Sequence, residues 1–452
     1  MIVDTARIER LLKEAVVTEE GVAEILQRAS EGRGLVLEDA AALISIEDPR
    51  LRKMLCKTAG EVKEKLFGKR VVLFAPLYLS NYCTNGCLYC GFRSSNRTVS
   101  RKALTPEEVV AEARTLVAMG FKRVLLVTGE DPRWDLGYII DCVQAVYRNT
   151  GMRIVHVNAP PMDVPSLKKL KAAGVGVFQV FQETYHRPTY GRVHPSGKKK
   201  DYDFRIEVMD RAMEAGFGDV GIGSLLGLYD FRFDSLATLA HSFHLYEKFG
   251  AQAHTVSIPR LRPAAHFAMN DVPYPVSDED FKKIVAVYRL TVPTAGVVVS
   301  TRESAGLRNS LIRSGATQLS AASRTSPGGY SKDGTDTLEQ FSTNDHRTLV
   351  EVMKSIVDEG GLPSLCTTCY RVGRTGREFT EKTKAGEMEK FCQANAILTL
   401  KEYLADCPVN GTKESMEKAL SKAIGEIKDP AIKKALAEKL KALDAGERDL
   451  YF

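Results

Sequence analysis

No stretch of this chain holds the roughly 18 consecutive apolar residues that a membrane-spanning helix needs. Its opening residues, MIVDTARIERLLKEA, carry too many charges for a secretory leader. Concentrated positive charge is also missing. The net charge is +6, but Lys and Arg are interleaved with Asp and Glu, and Lys198–Lys200 is the only tight basic run. Binding to nucleic acid or to a membrane surface is therefore not expected. There is one tryptophan, and no His lies beyond His346. Internal repeats and low-complexity linkers are absent. What remains, 452 residues with 44% hydrophobic and 27% charged, describes a cytoplasmic globular enzyme with one large domain and smaller appendages.

Cysteine is present and unevenly placed. Nine in a reducing compartment argue against a disulfide framework. Cys83, Cys87 and Cys90 form one group, and Cys366, Cys369 and Cys392 a second. Cys56, Cys142 and Cys407 stand alone and suit apolar packing. Two triplets read as metal sites.

Residues 1–68 carry helical periodicity and read as an N-terminal helical extension. Short apolar runs then alternate with amphipathic segments, at 71–77, 123–128, 153–157, 176–181, 219–223, 253–257, 296–300 and 317–320. Thr105-Pro106-Glu107-Glu108 starts one helix, with a cap, a proline at the first position and a glutamate at the third; Gly120 ends it. Another is expected from Asp201 to Ala215, stopped by Gly216. Eight strand-like runs spaced by helices predict an α/β fold, a parallel (β/α)8 barrel over 69–345, with a doubly wound open sheet as the competing arrangement. Residues just after the strands should then gather around one site. Residues 346–452 read as a C-terminal helical domain that carries the second triplet. Its long segments are 393–405 and 412–446, with Pro430 breaking the latter.

CTNGCLYC spaces its cysteines C-x3-C-x2-C directly after the first strand. Thiolates select iron–sulfur clusters, zinc or copper. Three cysteines on a [4Fe–4S] cluster leave one iron free for a small molecule with an amine and a carboxylate. A structural zinc usually takes four ligands in C-x2-C pairs. With Tyr89 before the last cysteine, the stretch resembles the radical S-adenosylmethionine (SAM) superfamily. That resemblance implies a [4Fe–4S] cluster with SAM, and cofactor contacts from Gly129 and Glu130 after the second strand, from Glu183 after the fourth and from Arg205. A carboxylate for the SAM ammonium and an arginine for its carboxylate make physical sense; an ordinary surface ion pair is the alternative for each.

The second triplet has the spacing C-x2-C-x22-C. A zinc site here would need Cys407 as its fourth ligand; a second iron–sulfur cluster with one open iron is the simpler account. The basic insert (Arg371, Arg374, Arg377, Lys382, Lys384) is expected to offset cluster charge. With CTNGCLYCGFRSSN, QVFQETYHRPTYGRVHPSGKKKDYDFR, VSIPRLRPA, STRES and CTTCYRVGRTG in view, the chain resembles the radical SAM tyrosine lyases of [FeFe]-hydrogenase maturation. The matching blocks run from about residue 74 to 405. That resemblance implies cleavage of L-tyrosine to p-cresol and a dehydroglycine fragment. A second [4Fe–4S] cluster, extended by a fifth iron through a free cysteine, would turn the fragment into carbon monoxide and cyanide for an Fe(CO)2(CN) unit of the hydrogenase H-cluster. It implies His254 as ligand to the fifth iron, Arg302 as a clamp on the tyrosine carboxylate and Ser320 as a weaker partner in that clamp. Ordinary readings of these three are a hydrogen-bonded core histidine, a surface ion pair and a barrel-lining serine. An electron donor such as ferredoxin or flavodoxin and other maturation proteins are the implied partners. Two alternatives remain: the thiamine-pathway 2-iminoacetate synthase, which lacks the second triplet, and a non-catalytic iron–sulfur scaffold.

Overall fold

The computed structural model describes residues 2–331, 339–407, 409 and 411–452. Four helices, Thr5–Glu14, Glu19–Ala29, Leu37–Ile44 and Pro49–Phe67, lead into the sheet. The last of these is capped by Asp48, has proline at its first position and ends at Gly68, whose φ of 65° only glycine adopts cheaply.

Eight parallel strands follow: β1 (Arg70–Ser80), β2 (Arg123–Thr128), β3 (Ile154–Asn158), β4 (Val175–Gln179), β5 (Asp219–Gly223), β6 (Thr255–Ser257), β7 (Gly296–Val299) and β8 (Gln318–Ser320). β1 pairs with β2 on one side and β8 on the other, so the sheet closes. The fold is a (β/α)8 barrel rather than an open sheet. Each sequence run lies on its strand within three residues. The run at 201–215 differs. It forms two short helices, Tyr202–Ile206 and Val208–Glu214, broken at Glu207.

A ninth strand, β9 (Leu362–Ser364), was not expected in the C-terminal segment, which reads as purely helical. Its residues pair in parallel with Arg70–Val72 at the very start of β1. Val72 also pairs with Gln318 of β8, so β9 occupies the β2 side of β1, below the point where β2 begins. The C-terminal segment is thereby fastened beneath the N-terminal end of the barrel. Helices Leu349–Asp358, Thr368–Arg371, Gly376–Lys384, Met388–Asp406, Lys413–Gly425 and Pro430–Asp444 complete it. No helix among the described residues is long and apolar enough to cross a membrane.

Candidate active site

Strand alternation aims Arg70, Val72, Phe74, Pro76 and Tyr78 of β1 into the barrel, with Arg123, Leu125 and Val127 of β2 and Gln318 and Ser320 of β8. These positions line two cavities. Phe74, Leu125, Val127 and Ser320 face one at the C-terminal end, while Arg70, Val72, Arg123 and Gln318 face another at the N-terminal end.

The upper cavity holds Cys83, Cys87 and Cys90 together with Tyr89, Gly129, Glu130, Glu183, Arg205, Arg302 and Ser320. The cysteine loop is tied by backbone bonds to its neighbours. Thr84 N–H donates to Glu130 O (2.8 Å), Leu88 N–H to Val193 O (3.1 Å) and Gly91 N–H to Gln340 O (2.9 Å). From inside, the Arg101 guanidinium donates to the carbonyls of Asn81, Phe92, Arg93 and Asn96. A Cβ on Gly129 would press into the Tyr82 backbone, so the second strand can pass this loop only with glycine there. Burial raises the Cys87 thiol and pushes Cys90 up to about 12, so both are poor free thiolates until a metal takes the proton's place. Tyr89 donates to, or accepts from, His194 Nε2 at 2.8 Å.

Glu183 is held at φ 71°, a left-handed backbone unusual outside glycine. Its Oε1 lies 2.6 Å from Lys199 Nζ and 3.5 Å from an Arg205 amino group. Burial raises its pKa, but the Lys199 and Arg205 charges outweigh burial and hold it below the usual range. Lys199 was missed in the sequence; the signal was there, in the 198–200 run. Asn85 was missed as well, and donates to Glu130 Oε2 at 2.6 Å. Arg302 lies with its guanidinium 3.2 Å from the Phe341 ring centroid, and burial lowers its pKa to about 10. The Ser320 hydroxyl accepts from Thr301 N–H (3.1 Å), fixing the turn that aims Arg302.

The lower cavity gathers Cys366, Cys369, Cys392 and His254. Cys366 follows β9 by two residues, Cys369 lies on the helix Thr368–Arg371, and Cys392 on the first turns of Met388–Asp406. Cys407, the fourth ligand a zinc site would need, lies elsewhere, against Gly120 and Tyr403. Among the described residues no three His, Cys, Asp or Glu side chains converge around a single metal ion. Soft thiolates with an imidazole beside them are donors that suit iron–sulfur chemistry. The donor set fits a cluster.

The charge offset expected from the insert comes from two of its five basic residues, Arg371 and Arg374. Arg377 and Lys382 face solvent in helix-surface pairs, Lys384 lies over Tyr246 and Arg371 pairs with Asp449. Arg374 bears on Cys369 and Cys392, and Arg371 on Cys366. The barrel supplies the rest. Burial works against the Arg70 charge, yet Cys392, Cys366 and Cys369 hold its pKa above the ordinary value. Arg123 donates to Cys366 O at 2.5 Å. Of the isolated cysteines, Cys142 is buried, whereas Cys56 and Cys407 are only half-buried.

The Radical SAM superfamily model matches residues 77–240. Two solved HydG structures, both [FeFe]-hydrogenase maturases, superpose along the chain. One has a TM-score of 0.96 at 44% identity and covers 100% of both chains. The other, from Carboxydothermus hydrogenoformans, has 0.83 at 37%, covering 96% and 97%. The chain belongs to the HydG family of radical SAM lyases. The chain is also similar to 2-iminoacetate synthase of Escherichia coli (strain K12), at 34% identity over 341 residues, 75% of this chain and 89% of that protein. As a member of the radical SAM superfamily, the chain uses a [4Fe–4S] cluster with SAM.

Proposed function

We propose that Cys83, Cys87 and Cys90 hold the SAM cluster and that Cys366, Cys369 and Cys392 hold a second, with His254 ligating a fifth iron joined through free cysteine. The observation that carries this reading is the back-to-back placement of two three-cysteine cavities on successive inward positions of the same strands. When bound, the first cluster and SAM supply the carbon radical that takes hydrogen from L-tyrosine.

The chain's own residues do the positioning. Glu183 accepts from the SAM ammonium, and Arg205 with Lys199 faces its carboxylate; Gly129 and Glu130 close over the amino group. Arg302, with Ser320, clamps the tyrosine carboxylate, and the buried surroundings exclude water. Cα–Cβ cleavage gives p-cresol and dehydroglycine. Cys366, Cys369, Cys392 and His254 would hold the lower metal group, which would supply the chemistry that splits the dehydroglycine fragment into carbon monoxide, cyanide and water for an Fe(CO)2(CN) unit. A one-electron donor of the ferredoxin or flavodoxin type and other maturases complete the cycle.

The test is anaerobic incubation of the reduced protein with SAM and tyrosine. The expected products are 5′-deoxyadenosine, p-cresol and carbon monoxide captured by a haem protein. p-Cresol without carbon monoxide would indicate a 2-iminoacetate synthase type of lyase, and neither product a scaffold.

A further inference from the structure

Gln340 lies beyond the last barrel strand, in a segment that no sequence motif marks. Its main chain is stitched to the cysteine loop. Gln340 O accepts from Gly91 N–H, and Gln340 N–H donates to Thr325 O (3.0 Å). A Cβ on Gly91 would meet Gln340 O at 2.9 Å, so glycine there is what lets the two segments touch. The side chain is equally constrained. Tyr78 OH donates to Gln340 Oε1 at 2.8 Å, which leaves the amide nitrogen facing Cys90 Sγ at 3.7 Å. The same sulfur also receives Phe92 N–H at 3.4 Å. Burial keeps the Tyr78 hydroxyl protonated by raising its pKa, so it serves as a donor and locks the amide in one orientation.

We propose that Gln340 is a positioning residue that raises the reduction potential of the first cluster through an N–H···S bond to Cys90, with Tyr78 holding the amide in place. The inference rests on the reading that Cys83, Cys87 and Cys90 hold that cluster. Adding an electron makes a thiolate-ligated cluster more negative, and a donor aimed at its sulfur stabilises the reduced form more than the oxidised one. A cluster that must reduce a sulfonium needs a potential neither too high to drive that step nor too low for the donor to reach. Phe341, the next residue, lies under the Arg302 guanidinium, so one short segment braces both the cluster ligand and the proposed substrate clamp.

The experiment uses the full chain carrying C366A and C369A, reconstituted anaerobically so that only the first cluster responds, with potentials measured by a dye-mediated titration followed by electron paramagnetic resonance. Gln340→Leu is expected to shift the potential downward, and Tyr78→Phe to shift it the same way by less. Exchange into deuterated buffer should remove a proton coupling from the reduced wild-type spectrum that Gln340→Leu already lacks. If Gln340→Leu fails to take up iron, Tyr78→Phe decides, since it keeps the amide and the backbone contacts. Unchanged potentials, or an unchanged proton coupling in Gln340→Leu, would overturn the proposal. A wild-type spectrum that Cys87→Ala leaves intact would overturn the cluster assignment itself, which separates the two failures.

Discussion

The Tyr370 hydroxyl lies 2.8 Å from Nε2 of His254, joining the residue after Cys369 to the residue before β6 across 116 positions of sequence. On its other face, His254 Nδ1 sits 3.2 Å from Asp219 Oδ1. A carboxylate behind Nδ1 orients the ring, and Nε2 would exchange the Tyr370 hydroxyl for a metal on binding one.

On this arrangement His254→Ala is expected to lower the iron content by about one atom per chain, because imidazole is a suitable iron ligand. It should abolish carbon monoxide while leaving p-cresol formation in place. Cys366→Ala and Cys369→Ala should show the same product split with a larger iron loss, and Cys87→Ala should abolish all turnover. Iron analysis with both product assays checks this. Equal loss of the two products in the C-terminal variants would end the proposed division of labour.

Arg302 is half-buried with its guanidinium over the Phe341 ring, so it is prepared for a bidentate carboxylate contact. Arg302→Ala is expected to raise the KM for tyrosine by about 10- to 100-fold, the scale of a lost charged hydrogen bond of roughly 1.5–3 kcal/mol. SAM affinity should hold. Arg302→Lys should recover little, since an ammonium cannot form the fork. Unaltered tyrosine dependence in Arg302→Ala would remove the residue from the clamp.

Gly221 keeps the lumen open at its middle. A Cβ there would meet Thr255 Oγ1 at 2.6 Å and Gln179 Cγ at 2.7 Å. Gly221→Val should therefore uncouple the two halves of the reaction, retaining p-cresol while the carbon monoxide yield falls and the fragment escapes to hydrolysis. Circular dichroism and the iron count control for misfolding. A constant ratio of the two products would argue against passage through this point.

Asp234 braces the loop that carries Glu183, accepting from Thr184 Oγ1 (3.0 Å) and Tyr185 N–H (2.8 Å). Burial pushes its pKa from 3.8 up to about 7, against those two hydrogen bonds. A folded pKa above the unfolded value means the folded state binds the extra proton, so this contribution to stability is fully present below about pH 3.8 and is lost as pH rises through 7. The stability difference between wild type and Asp234→Asn, measured by anaerobic denaturation, should shrink or reverse over that window and stay flat above it. The slope cannot exceed about 1.4 kcal/mol per pH unit for one proton. A difference independent of pH would mean that Asp234 stays ionised.

The strands and the first cysteine loop were legible because their signals are local. Runs such as 123–128 and 219–223 carry strand character within a few residues, and the box at Thr105 and Glu108 forms as read, with both of its hydrogen bonds. β9 was not legible. Three residues, one of them Pro363, show no alternation, and what makes them a strand is the free edge of Arg70–Val72. The offset of cluster charge was legible only in part, for a related reason. A basic insert beside the cysteines is close in sequence, but helix geometry turns most of it outward.

Cysteine spacing alone determined that Cys83, Cys87 and Cys90 face one another, because a short loop limits what its own side chains can surround. The long insert before Cys392 left its place to the packing of helices. Composition and hydrophobic period likewise dictated the alternating strands and helices. Which residues complete each site was decided only by closure of the barrel and the register of β9. Gln340 reaches Cys90 over 250 positions, and Arg123 reaches Cys366 over 243. Such contacts arise from the packing of whole elements, and no local pattern encodes where a distant strand will finally lie.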